Sequence, residues 1–145
     1  MALTVVTGPP AGGKTSWVNA RAQPGDIVID MDRLAQALSP PGASAHEYGR
    51  ILRTIAQRAR QAAVSEALKY CQAVDVYLIH TQPSEAQLAT YAQHGARVVT
   101  VDPGKEIVLA RCDEQRSRSS RSAAERWYST QTGHDSEQHR SSRAW

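Results

Sequence analysis

The sequence predicts an α/β fold whose sheet is mainly parallel, with about four to five strands flanked by helices. Three observations carry this. Short β-branched runs alternate with segments of helical periodicity along the chain. A glycine-rich stretch, Gly8 to Thr15, lies between the first strand pattern and the first helix pattern. Four strand patterns occur in all, each followed by a helical segment. A chain of 145 residues fits one domain with a single core.

The elements follow in order. Leu3 to Thr7 is a β-branched run ending in glycine, and a helix is expected from about Lys14 to Gln23, where Pro24-Gly25 breaks it. Asp26 to Asp30 reads as a second, buried strand, and Asp32 to Leu38 as a short helix stopped by Ser39-Pro40-Pro41-Gly42. From about His46 to Cys71 apolar residues recur at helical spacing: Ile51, Leu52, Ile55, Ala59, Ala62, Ala63, Leu68 and Cys71. Arg50, Arg53, Gln57 and Arg60 fall elsewhere on that wheel. Val74 to Ile79 is a third strand, and Ser84 caps a helix that Gly95 terminates. Val98 to Val101 is a fourth strand, and Asp102-Pro103-Gly104 opens a helix toward Arg116. Ser117 to Ser122 is rich in Arg and Ser, and a short amphipathic piece follows around Ala123 to Tyr128. The domain is expected to span residues 1–128, with 129–145 a polar, disordered tail.

Composition narrows the function classes. Of the 17 basic residues most are Arg, and the sequence from Arg111 onward holds half of the arginines. Arginine's fork of donors suits phosphate, so phosphate-rich partners fit, while a net charge of +3 by itself argues nothing about nucleic acid. Phe is absent, so the core must rest on Ala, Val, Leu and Ile with Trp and Tyr. Cys71 and Cys112 lack metal or redox spacing and read as small buried hydrophobes. The opening Met-Ala-Leu-Thr-Val-Val reads as a strand rather than a leader, and no apolar run has membrane-span length, so a cytoplasmic location without membrane contact is expected. His134, Asp135, Glu137 and His139 superficially suggest metal ligands but read as a solvated tail. Trp127-Tyr128 reads as the anchor of a terminal helix more than as a base-stacking pair.

Gly8-Pro9-Pro10-Ala11-Gly12-Gly13-Lys14-Thr15 fits the phosphate-binding pattern G-x-x-x-x-G-K-[ST], with a strand before it and a helix, starting with Ser16 in its first turn, after it. Glycines let successive backbone N–H groups turn toward phosphate oxygens at a helix N-terminus. Lys14 is expected to reach the β- and γ-phosphates of ATP and Thr15 to ligate Mg²⁺. This P-loop points to a P-loop NTPase fold but names no reaction. At the tip of the second strand stand Asp30-Met31-Asp32-Arg33, where an α/β sheet places its ligand. Asp32 can take the proton of an attacking hydroxyl, or it can cap the following helix. Asp30 is expected to support Mg²⁺-bound water or the loop.

The P-loop, the strand-tip aspartate, the third strand ending near a Thr and an Arg-bearing segment resemble, in this order, the phage-type polynucleotide 5′-kinases and neighbouring small P-loop kinases. The resemblance runs from about Leu3 to Tyr128, with the P-loop its one highly specific motif. It implies that Asp32 is the general base toward a 5′-hydroxyl, and that Thr81 helps hold the acceptor end. It also implies an Arg-rich lid over about residues 111–122, in which Arg111, Arg116 and Arg118 contact ATP phosphates and Arg116 acts on the transferring group; Arg121 belongs to the same segment. Two positions depart from the pattern. The arginine expected three residues after the base is Ala35, and the acidic residue at the end of the third strand is His80. Arg33, or Arg50 or Arg53 on the long helix, can supply the missing grip on the acceptor. His80 reads as a structural hydrogen-bonding group more than a catalytic one.

The resulting expectation is an ATP-dependent kinase acting on the 5′-OH of DNA or RNA. A kinase of a free nucleoside, nucleotide or modified base is the alternative among enzymes. An NTP-binding regulatory or toxin-like protein with little turnover is the alternative outside them.

Overall fold

The computed structural model describes residues 2–44, 48–115 and 118–131, the side chains of 115, 118 and 119 excepted. In chain order the elements are β1 (Leu3–Thr7), α1 (Lys14–Asn19), β2 (Ile27–Ile29), α2 (Met31–Ala37), α3 (Arg50–Tyr70), β3 (Val76–Ile79), α4 (Glu85–Gln93), β4 (Arg97–Thr100), α5 (Lys105–Gln115) and α6 (Arg118–Gln131). The strands form one sheet of 4 in the order β2-β3-β1-β4, and every pairing is parallel.

That order positions the site. The crossover after β1 leads toward β2, and the crossover after β3 leads the opposite way, toward β4. β1 and β3 are neighbours, in register from Leu3 opposite Val76 to Val6 opposite Ile79. A crevice therefore opens beyond their carboxyl ends, where chains leave in opposite directions.

Strand alternation divides the core. Leu3, Val5, Leu78 and Val76 face α3 and α4, packing with Ala67, Cys71 and Tyr91. Val6 and Ile79 face the other way, packing with Trp17 and Val18 of α1 and with Val101. Val5 and Leu78 are 0% and 1% exposed, and side chains of this size stabilise by roughly 1.5–3 kcal/mol each when fully buried. Both cysteines are buried thiols outside any disulfide, as the sequence suggested. Ser84 caps α4 in a capping box with Gln87, and Gly95 follows the helix at φ 72°.

Several boundaries and faces differ from expectation. β2 lies at a sheet edge, so Ile27 is 41% exposed and the segment is not a buried strand. On α3 the fully buried residues are Ala56 and Ala67, with Ala63, Val64 and Leu68 packed against the core beside them, while Ile51 and Ile55 face outward and Ala62 is exposed. Helical periodicity found the helix there but chose some residues one position off the buried face. The expected start of this helix at His46 lies outside the described residues. The Arg/Ser-rich stretch is helical from Arg118, and α6 runs to Gln131, into the expected tail. Arg121 pairs with Asp113 of α5 and with Glu125 one turn on, which ties down this first part of α6. α5 and α6 pack through Val108, Cys112 and Ala124. The tail histidines and acids lie in 132–145, outside the described residues.

Candidate active site

The loop after β1 is built by close backbone approach. A Cβ on Gly8, whose φ is 146°, would stand 2.2 Å from Val101 O, so only glycine lets the loop pass the end of β4. On Gly12 a Cβ would meet Pro9 O at 2.8 Å, inside the turn closed by the Gly12 N–H donating to Pro9 O at 3.0 Å. Gly13 is left-handed at φ 95° and opens α1. Ala11 is also left-handed, at φ 59°, and the Arg111 guanidinium donates to its carbonyl at 3.2 Å. Arg111 thus braces the loop from α5.

Lys14 is 8% exposed, and its ammonium donates to Gly8 O at 3.0 Å and Pro9 O at 2.7 Å. The charge is held inside the loop by the loop's own carbonyls. Thr15 Oγ1 donates to Asp30 Oδ2 at 3.0 Å, and the other oxygen of Asp30 accepts from Asp32 N at 3.1 Å. Asp30 is therefore the N-cap of α2, and at 6% exposure it links the tip of β2 to the start of α1. The capping role open to Asp32 in the sequence belongs to Asp30. Asp32 stands in the first turn of α2 and accepts a hydrogen bond from the Tyr48 hydroxyl at 3.0 Å.

These groups share one cavity of about 570 Å³. Pro10 to Thr15 form one wall, Asp30 to Asp32 and Tyr48 another, and Ile79 to Gln82 line it from the end of β3. Arg53, Gln57 and Arg60 enter from one face of α3 at i, i+4 and i+7 spacing. Ser120, Ala123 and Arg126 enter from α6. Three arginines and Lys14 thus surround a cavity whose acids are Asp30 and Asp32.

His80 hydrogen-bonds Tyr91 through Nδ1 at 3.2 Å. Burial, aided by the positive charge of Arg60, lowers its pKa to about 4, so the ring is neutral near pH 7. Burial and the charge of Asp32 push the Tyr48 phenol up to about 12. α6 is fastened to the core beside the cavity. Trp127 Nε1 donates to Thr81 O at 3.0 Å, and the Tyr128 hydroxyl donates to Asp102 Oδ1 at 2.6 Å. The reading of this pair as an anchor holds, and burial with the Asp102 hydrogen bond raises the Tyr128 phenol.

The sequence-selected residues thus divide. Pro10 to Thr15, Asp30, Asp32, Arg53 and Thr81 line the cavity. Gly8 and Pro9 are buried behind it, where their carbonyls hold Lys14. Ser16 is exposed in α1 and Arg33 is exposed on α2, both outside the lining. Ala35 is 0% exposed and belongs to the packed interior. Arg116 lies outside the described residues, as does the side chain of Arg118. Sequence reasoning missed Tyr48, Arg60 and Arg126. The 53, 57, 60 spacing was a usable signal for the second, whereas Tyr48 sits in a loop that periodicity does not address.

Hard oxygen donors suit Mg²⁺, and the Thr15 hydroxyl beside the Asp30 carboxylate is such a set. Among the described residues no group of three or more His, Cys, Asp or Glu could hold a metal by itself. No helix of the described residues is long and apolar enough to cross a membrane.

No family model matches the chain, and no curated protein matches it. Among solved structures, a chain of the Pnkp1/Rnl/Hen1 RNA repair complex is similar with a TM-score of 0.62 at 16% identity, over 92% of this chain and 46% of that one. A second chain from a structure of the Pnkp1/Rnl/Hen1 complex gives a TM-score of 0.54 at 15% identity, over 81% and 40% respectively. At such identity the likeness shows a shared α/β fold. This protein spans less than half the length of either matched chain.

Proposed function

We propose that the protein is an ATP-dependent phosphotransferase that moves the γ-phosphoryl of ATP to a hydroxyl, and that the hydroxyl is the 5′-OH of DNA or RNA. The observation that carries the reading is the meeting, in one cavity, of the glycine loop with its enclosed Lys14 and of Asp32 across from it. The kinship of fold with chains from an RNA repair complex supports the nucleic-acid acceptor.

On this reading the loop N–H groups and Lys14 bind the triphosphate, with Lys14 exchanging the Gly8 and Pro9 carbonyls for phosphate oxygens. Thr15 and Asp30 hold Mg²⁺, directly or through water, which neutralises charge on the phosphates. Asp32 accepts the proton of the acceptor hydroxyl as the new O–P bond forms and the bond from phosphorus to the β,γ-bridging oxygen breaks. Arg53 and Arg60 grip the acceptor's phosphate, replacing an arginine that Ala35 excludes. Arg126 and arginines of the α5–α6 hairpin, Arg116 and Arg118 among them, act as the lid and stabilise charge on the transferring group. Thr81 orients the acceptor from the β3 tip.

The buried Ala35 favours one second reading, a kinase of a free nucleoside or nucleotide. Equilibrium binding of a short 5′-hydroxyl oligonucleotide from 50 to 300 mM salt separates the two. A polynucleotide kinase shows affinity falling steeply with log salt. Strong nucleoside phosphorylation with no oligonucleotide binding at any salt would transfer the assignment to the small acceptor.

A further inference from the structure

The proposed base rests on a side chain that no sequence motif marks. Tyr48 lies just before Gly49, the N-cap of α3, and its hydroxyl donates to Asp32 Oδ1 at 3.0 Å. Arg53, in the first turn of α3, lies over the Tyr48 ring at 5.6 Å. Asp32 is thereby tied to α3, an element remote in sequence, while its backbone is held by the Asp30 cap.

The consequence concerns aim. A general base acts only within hydrogen-bond reach of the proton it takes, and a misplacement of about 1 Å can cost on the order of a hundredfold in rate. The side chain of an aspartate in a first helical turn can rotate between staggered wells, and a donor on one oxygen narrows that choice and with it the direction of the other oxygen. The phenol suits this task because, pushed up to about 12 by burial and by Asp32, it keeps its proton and donates throughout the neutral range. The same logic lets an outer hydrogen-bond partner orient a metal ligand or a catalytic histidine.

We infer that Tyr48 is a positioning residue that aims the Asp32 carboxylate at the acceptor hydroxyl, with Arg53 holding the Tyr48 ring in place. The inference rests on the phosphotransferase reading. It also gives Arg53 a second duty beside the acceptor's phosphate.

A double-mutant cycle on the full chain tests it, using whichever of a 5′-hydroxyl oligonucleotide or a nucleoside the wild type turns over faster. Wild type, Tyr48→Phe, Asp32→Asn and the double variant are compared for kcat, for KM of ATP and of the acceptor, and for Tm. Tyr48→Phe keeps the ring and its contact with Arg53 and removes only the O–H. It is expected to lower kcat by about 10- to 100-fold, the span seen when an outer hydrogen-bond partner is removed. KM for ATP stays within about twofold, since the loop is untouched. In the Asp32→Asn background the same change costs nothing further, because no base remains to be aimed. Equal losses in both backgrounds, or a change confined to KM and Tm, would reduce Tyr48 to a structural role. Wild-type kcat for Tyr48→Phe beside a disabled Asp32→Asn overturns the inference alone. Wild-type turnover by Asp32→Asn overturns the base assignment and the inference with it.

Discussion

The two halves of the cavity are built in opposite ways. The half proposed to hold the triphosphate is nearly continuous in sequence: Gly8 to Thr15 supply the loop, the glycines and the ammonium, and Lys14 is held by carbonyls five and six positions earlier. The half proposed to hold the acceptor is assembled from α2, the loop before α3, one face of α3, the tip of β3 and α6. A local half is specified by backbone geometry, because its glycines answer to φ angles and close approaches. An assembled half is specified by packing, and its residues can be exchanged among elements. Ala35 is buried in α2, while Arg53 and Arg60 enter the cavity from α3, and the proposed function gives the acceptor's phosphate to these two.

The largest expected effect lies in the local half. Lys14→Ala is expected to abolish phosphoryl transfer while circular dichroism and cooperative unfolding persist, because the sheet core does not use the ammonium. Retention of wild-type turnover would erase the distinction between the halves. Next comes the base. Asp32→Asn is expected to keep ATP affinity and lower transfer by about two to four orders of magnitude. If ATP affinity and turnover fall together, Asp32 belongs to the triphosphate half.

How much of this the sequence disclosed follows the same division. The glycine-rich loop with Lys14 stood out because its residues fall at a fixed spacing, and its context of strand and helix was readable from periodicity. Asp32 was singled out by its place at a strand tip, and it does line the cavity. Its alternative role as a cap was settled only by the geometry, which gives the cap to Asp30. The arginines of α3 were seen on the helical wheel, yet which side meets the cavity depends on how α3 packs. That packing uses Ala56 and Ala67, whereas the larger Ile51 and Ile55 suggested another face. Tyr48 carried no signal, since a loop tyrosine gains meaning only when α2 and α3 come together. The polar α6 was underestimated because Arg and Ser look like linker when their partners, Asp113 on α5 and Glu125 within the helix, are not considered jointly.

A smaller effect sharpens the acceptor half. Arg60→Ala is expected to weaken binding of a 5′-hydroxyl oligonucleotide by about 1–3 kcal/mol, the scale of charge-assisted phosphate contacts. The slope of log affinity against log salt flattens by about one unit, and ATP affinity is unchanged. Titration calorimetry at several salt concentrations measures both, and a parallel loss of ATP affinity would show that the arginines of α3 serve the triphosphate instead.

The smallest effect is on stability. The folded pKa of His80, about 4, lies below its ordinary value of 6.5. The unfolded chain therefore takes up the proton first as the pH falls. Stability from the neutral ring is complete above pH 6.5 and is lost as the pH drops from there toward 4. His80→Asn should flatten the dependence of Tm on pH across this window, and an unchanged dependence would assign acid sensitivity to other groups.

Transfer of the terminal phosphoryl group is read out by the fate of a label. Purified protein is incubated with Mg²⁺ and a 5′-hydroxyl RNA or DNA oligonucleotide, once with ATP labelled at the γ-phosphate and once with ATP labelled at the α-phosphate. The account predicts a labelled 5′ end from the γ-label alone, and none with Lys14→Ala. Label arriving from the α-position, or none on any oligonucleotide or nucleoside while ATP binds, would contradict it.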